Sequence, residues 1–406
     1  MTVWPADGLP TEPVGSLPRP ARLQRVVIDA STGLATQAEL RTEQERAVRD
    51  TLERFAATGS PIVSDGEQRR QSFASYPLGS SDAAVAEAGP VFAVFADGHH
   101  RVIPSLARAP FVFRDWAAED VAAARVLTDR PLKQAVISPS MLSLMVPEAG
   151  LGDYSREEFL DDVVAGCAED IRRCFAAGAT RVTMDFTEGR LALRRDLRAP
   201  WAGPQALAGF ISLINRVLDR LAPYERDAVG VHTCPGNDND SVHSADVDYS
   251  GLIPELFQIE AGYFLVQAAG EHDPDRVARL VGRQLRQRAR SGGRAPKVLL
   301  GVTQPTRPKL ETAEEIADQL VKAARFIPAE LLGSTDDCGF SPYNIDEKPR
   351  HGSPDFARDV AFAKIAARVR GTAIASGTLG GGAPAVPLSY AGYGATGVGI
   401  PKEKVS

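Results

Sequence analysis

Residues 154–185 read YSREEFLDDVVAGCAEDIRRCFAAGATRVTMD. Residues 154–177 have a helical pattern, because Phe159, Val163 and Ile171 fall on one face. Residues 181–184 are a short β-rich run, and Asp185 follows it directly. One such unit is a helix, a short strand and a polar residue at the strand's end. Working outward, similar runs lie at 12–17, 61–64, 133–137, 228–232, 256–259, 297–302 and 332–334. Helical stretches separate them, and Thr312 with Glu315 has the spacing of a capping box ahead of Ile316, Leu320 and Ala323. Eight β-rich runs alternating with helices predict an α/β fold, a parallel (β/α)8 TIM barrel.

Residues 89–116 break the alternation and read as a β-rich insertion after the second unit. Residues 377–406, rich in Gly, Pro and Ala, read as an extension beyond a barrel spanning 1–376. With 44% apolar and 24% charged residues over 406 positions, the chain has the composition of a globular protein with a large core. A net charge of −6 gives no reason to expect nucleic acid. No apolar run is long enough to span a membrane, and residues 1–11 lack the pattern of a signal peptide. Four cysteines are too few for a disulfide framework, so a reducing, cytoplasmic setting is expected.

In such a barrel the active site gathers at the C-terminal ends of the strands. Those ends are expected to carry Gly15-Ser16, Asp65-Gly66-Glu67, Asp185, His232-Thr233-Cys234, Glu260 and Asp336-Asp337-Cys338. His232 and Cys234 are two apart, so a strand puts both on one side. With Cys338 and Glu260 they make a set suited to zinc, and two thiolates argue against magnesium or calcium. Zinc lowers the pKa of a bound thiol below its free value of about 8.5, so the set predicts nucleophile activation at neutral pH. Cys167 and Cys174, seven apart on a helix, are expected in the core.

Taken in order, VGSLPRP, SDGEQRR, MDF, VHTCPG, IEAG, GVTQPTRP with ETAEEI, and STDDCGF resemble the C-terminal catalytic barrel of cobalamin-independent methionine synthase. The resemblance runs over about residues 12–375 and extends to single-barrel core methionine synthases and epoxyalkane–coenzyme M transferases. It implies zinc held by His232, Cys234, Glu260 and Cys338, with Glu255 as the alternative carboxylate. It also implies that Ser16, Glu67 and Asp185 bind the homocysteine amino-acid head, and Asp337 stands as a second-shell residue. The expected reaction is methyl transfer to homocysteine sulfur, giving methionine. The chain is expected to depart from the family at three points: one barrel in place of two, Thr306 where the family has a histidine, and no aromatic for folate in ISPSM. A donor other than folate, including a corrinoid or other methyl-carrier protein, is therefore among the expected partners.

Two other functions fit the same residues. A coenzyme M-like thiol could add to an epoxide, with Arg69, Arg70 or Arg190 taking the sulfonate. A non-catalytic zinc- or thiol-binding barrel, or a metal-free relative like the uroporphyrinogen decarboxylases, would share the fold without the reaction. The remaining signals are weak. Residues 377–382 are expected as a glycine-rich tail rather than a phosphate loop, and the arginines of 276–294 as a solvated helix. His99, His100 and His243 are expected at the surface or in turns, and Asp238 and Asp240 as turn formers or substrate contacts.

Overall fold

The structure is a computed structural model that describes residues 4, 8–70, 73–79, 85–94, 100–146, 149–194, 202–238, 241–242, 244, 246–340 and 353–380. Six parallel strands form its centre: β1 (Leu132–Ile137), β2 (Ala179–Asp185), β3 (Val229–Thr233), β4 (Tyr263–Val266), β5 (Lys297–Gly301) and β6 (Leu332–Thr335), paired in that order. Two further segments close the ring. Thr11 bridges Ser334 at the β6 edge, and Val63 bridges Leu132 at the β1 edge. The two segments then meet each other where the Leu17 amide donates to the Gly66 carbonyl at 3.1 Å. The result is a (β/α)8 barrel. Strands β1 and β3 are buried along their whole length, as a strand covered on both faces must be.

The helices form where propensity and capping agree. α1 (Gln37–Thr58), α2 (Arg156–Ala176) and α3 (Ala313–Ala323) each begin with a capping box, at Thr36/Glu39, Ser155/Glu158 and Thr312/Glu315. Phe159, Val163 and Ile171 of α2 are fully buried, and so are Cys167 and Cys174 on the same helix. The insertion is an antiparallel ribbon, Val85–Val94 against His100–Leu106, so it starts and ends earlier than 89–116.

Two expectations about the fold are corrected. Residues 256–259 are not a strand: Leu252–Leu256 is a short helix, and the sixth barrel strand is Tyr263–Val266. The chain enters that strand through Gly262, where a Cβ would sit 2.4 Å from the Asp227 carbonyl oxygen. Only glycine allows that approach, and the aromatic and branched residues after it have the stronger strand preference. The last helix, α4 (Pro354–Gly380), runs through Gly377, so 377–380 is helix rather than tail and forms no phosphate loop. Residues 381–406, His99, His243 and Asp240 lie outside the described residues. No helix among the described residues is long and apolar enough to cross a membrane.

α4 is locked down by three buried cations. Arg358 donates to Asp50 at 2.8 Å and to the Pro18 carbonyl at 2.8 Å, and Lys364 donates to Glu311 at 2.7 Å. Arg368 donates to Asp336 at 3.0 Å, just ahead of Asp337-Cys338. The final helix thus holds the first turn, the loop after β5 and the end of β6, all at the C-terminal mouth.

Candidate metal centre

His232 lies within β3 and Cys234 follows it; Cys338 follows β6. Their ligand atoms lie within 4.8 Å of one another, and among the described residues they form the group able to hold a metal ion. The two sulfurs are 3.0 Å apart. Two sulfurs on one tetrahedral zinc, each at about 2.3 Å, sit about 3.8 Å apart, so the pair needs to open by less than an ångström. The His232 Nδ1–H donates to Asp185 Oδ1 at 3.0 Å, which leaves Nε2 as the ligand nitrogen.

The electrostatics suit a cation. Burial pushes the Cys234 thiol up, but a hydrogen bond from Cys338 and the neighbouring His232 outweigh it and bring the pKa down to about 5. Burial pulls His232 down, yet the Cys234 thiolate and then Asp185 hold it up at about 10. The hydrogen bond to Cys234, reinforced by burial, raises Cys338 well above the usual thiol value. The site therefore stores negative charge that protons balance, and a divalent cation can replace those protons.

Residues 9–350 match the family described as cobalamin-independent synthase, catalytic domain. The chain belongs to this family. The 5-methyltetrahydropteroyltriglutamate–homocysteine methyltransferase of Mycobacterium tuberculosis (strain H37Rv) is 22% identical over 348 residues, which is 84% of this chain and 41% of that protein. The chain thus spans about two-fifths of the length of these curated relatives. The uncharacterized protein YxjH of Bacillus subtilis is 24% identical over 338 residues, 81% of this chain and 86% of that one. Among solved structures, a B12-independent methionine synthase from Shewanella sp. W3-18-1 in complex with selenomethionine superposes with a TM-score of 0.66. It is 22% identical and covers 92% of this chain and 99% of its own, which shows the shared fold.

In this barrel the residues expected to hold an amino acid gather at the same mouth. A Cβ on Gly339 would fall 2.0 Å from Ser16 Oγ, and the Phe340 amide donates to the Ser16 carbonyl at 2.9 Å. Ser16 therefore sits against the residue after Cys338. Glu67 is buried, and a Cβ on Gly15 would lie 3.7 Å from its Oε1. Its φ of 59° is the one positive value among the described non-glycine residues. Such strain persists where the surroundings impose it, and it is concentrated at binding sites. Arg69 and Arg70 pair with Asp120 at 3.7 and 3.2 Å, and Arg190 pairs with Glu271 at 2.6 Å.

Glu260 is not in the cluster. It precedes β4, at the opposite end of the barrel from His232, and it is half-exposed and paired with Arg288. The cause is the shifted strand: with the strand at 263–266, Glu260 comes before it rather than after it. Glu255 is in the helix before that and accepts from Gln258. Neither is a ligand. The residue after β4 is Gln267, which is buried and donates its amide to the Thr233 carbonyl at 3.3 Å.

Three polar groups at the mouth act through contacts between segments distant in sequence; Asp337 stood in a sequence motif, whereas Glu188 and Glu271 did not. Asp337 accepts from the Ala268 and Ala269 amides at 2.9 Å each, and from the Gly270 amide at 2.5 Å. Its carbonyl oxygen lies 3.3 Å from His232 Nε2, so it ties the β4 loop to the metal cluster. Burial holds its carboxyl up at about 7 despite those amides. Glu188 accepts from Ser138 at 2.6 Å and from Ser140, and burial raises it to about 7. Glu271 joins Arg190 to Gln267. All three belong to loops that meet only in three dimensions.

Asp185 makes a contact that its position in sequence did not reveal: it orients His232, a candidate metal ligand. Asp185→Asn should keep the fold and weaken metal affinity about 10–100-fold. Competition with a chromogenic chelator measures this, and an unchanged metal dissociation constant would remove Asp185 from the metal's support.

Proposed function

We propose that this chain is a zinc-dependent S-methyltransferase whose acceptor is homocysteine, converted to methionine. The observation that carries the proposal is that His232, Cys234 and Cys338 converge at the mouth where Ser16 and Glu67 also lie. His232, Cys234 and Cys338 would hold the ion. When bound, zinc supplies Lewis acidity that lets the acceptor sulfur react as a thiolate at neutral pH.

The chain's own residues supply the rest. Asp185 keeps the His232 proton on Nδ1, so the imidazole stays a neutral ligand through Nε2. Asp337 fixes the β4 loop against Cys338. Glu67 offers a buried carboxylate to the α-ammonium group, and Ser16 a hydroxyl to the α-carboxylate. The sulfur then attacks the donor's methyl carbon: the S–CH3 bond forms as the bond from that carbon to the donor breaks, and the leaving donor takes up a proton. A sulfonate thiol would need a cation at this place, and Arg69, Arg70 and Arg190 are bound to Asp120 and Glu271.

Cobalt in place of zinc reports sulfur ligation through its charge-transfer and d–d bands. Titration with homocysteine should give a saturable change, and 2-mercaptoethanesulfonate should bind far more weakly. Glu67→Gln should weaken homocysteine about 10–100-fold, the loss of one charged hydrogen bond, with cobalt content unchanged. A response to the sulfonate thiol alone, or equal homocysteine affinity in Glu67→Gln, would rule out the amino-acid acceptor.

A further inference from the structure

We propose that Gln267 is the fourth ligand position of the metal centre, an uncharged and exchangeable one that gives way to the substrate sulfur. The inference rests on the metal-centre reading above and goes beyond it.

Zinc in a protein is four-coordinate, and catalytic sites keep one place for water or substrate. Three protein donors converge here, and the carboxylate expected as the fourth lies at the other end of β4. The register of β3 and β4 identifies what stands there instead. His232 pairs with Leu265 and Thr233 with Val266, so the next step sets Cys234 beside Gln267. The Gln267 amide donating to the Thr233 carbonyl at 3.3 Å continues that ladder. Side chains alternate along a strand. Tyr263 and Leu265 pack inside the barrel with Val14 and Leu299, so Gln267 is the next inward position, level with Cys234.

The carboxamide is oriented. Its Nε2 donates to Glu271 Oε1 at 2.7 Å, and Glu271 is held by Arg190 at 2.6 Å. An ionised carboxylate only accepts, so the contact fixes which end of the amide is nitrogen. Arg190 is itself buried, donates to the Val247 carbonyl at 3.1 Å and lies over the Tyr249 ring at 4.8 Å. Tyr249 donates to the Thr233 carbonyl at 3.0 Å, between the two β3 ligands. The brace therefore starts and ends at the metal cluster, and it leaves Gln267 Oε1 as the end that turns away from Glu271.

The functional consequence concerns charge. Two thiolates and a neutral imidazole balance a divalent cation, and an amide oxygen adds nothing to that sum. A thiolate entering this site displaces a weak neutral donor instead of competing with an anion. That arrangement favours rapid acceptance of the thiol over tight retention of the metal.

The experiment uses the full chain loaded with cobalt and compares Gln267→Ala and Gln267→Glu with the wild type. In Gln267→Ala the resting d–d spectrum should change, because water takes the place of the amide. The homocysteine-bound spectrum should match the wild type, because Gln267 is off the metal in both. Gln267→Glu should bind metal about 10-fold tighter or more and homocysteine about 10–100-fold weaker. A residue that merely supports the fold would alter both spectra together. The proposal is overturned if the resting spectrum of Gln267→Ala equals the wild type, or if Gln267→Glu leaves homocysteine affinity unchanged. Wild-type protein that binds no cobalt, or shows no sulfur bands with any thiol, would instead overturn the metal-centre reading itself.

Discussion

Cys338→Ser is expected to leave the protein folded and without stoichiometric metal. The serine hydroxyl is a hard, protonated donor at neutral pH, whereas zinc binds the thiolate. Removing one of three convergent donors should weaken the site by more than the roughly 10–100-fold expected for a supporting residue. Cys234→Ser should act alike, because the two sulfurs lie 3.0 Å apart and share one site. Cys167→Ser is the control: that thiol is buried in α2 with its pKa raised by burial, well away from the mouth. Metal content after dialysis against a mild chelator, read by mass spectrometry, decides the matter. Full zinc in both Cys234→Ser and Cys338→Ser would mean that the metal binds elsewhere.

The second large effect is expected at Arg368→Met. The Arg368 and Asp336 side chains are 0% and 1% exposed, and Thr303 also donates to Asp336 at 2.8 Å. Removing the guanidinium leaves a buried carboxylate without its counter-charge, at a cost of about 3–5 kcal/mol. For a chain of this length that corresponds to a fall in Tm of about 4–6 °C. The double variant Arg368→Met with Asp336→Leu should recover most of the loss, since a buried ion pair is worth little more than apolar side chains of its size. The strain should also reach the metal, because Asp337 and Cys338 directly follow Asp336 in the chain. Thermal unfolding, with and without bound zinc, measures both parts. A loss under about 1 kcal/mol in the single variant would show that water or another donor already satisfies Asp336.

Much of the barrel was legible because it rests on local rules. The α2 helix shows its face through Phe159, Val163 and Ile171, and α3 shows its start through Thr312 and Glu315. His232 and Cys234 could be paired from the alternation of a strand alone. The ribbon at 85–106 was visible as a departure from periodicity, although it starts four residues and ends ten residues earlier than expected. The sixth strand was the failure. Two apolar runs, 256–259 and 263–266, lie on either side of Gly262, and each can be written as a strand. Choosing between them requires knowing that the chain must pass the Asp227 carbonyl at a distance no side chain allows.

That one shift carried Glu260 from one end of the barrel to the other, since a strand's two ends are the site and the floor. Residue types and their order thus determined the fold class, the family, and a candidate metal set of one histidine and two cysteines. Tertiary structure alone decided which carboxylates serve it: Asp185 supports His232, Asp337 clamps the β4 loop, and Glu260 pairs with Arg288 on the floor. The physical reason is that periodicity encodes which face a residue occupies, whereas partners across a barrel mouth are set by register between strands and by loop length. Neither leaves a pattern in a single chain.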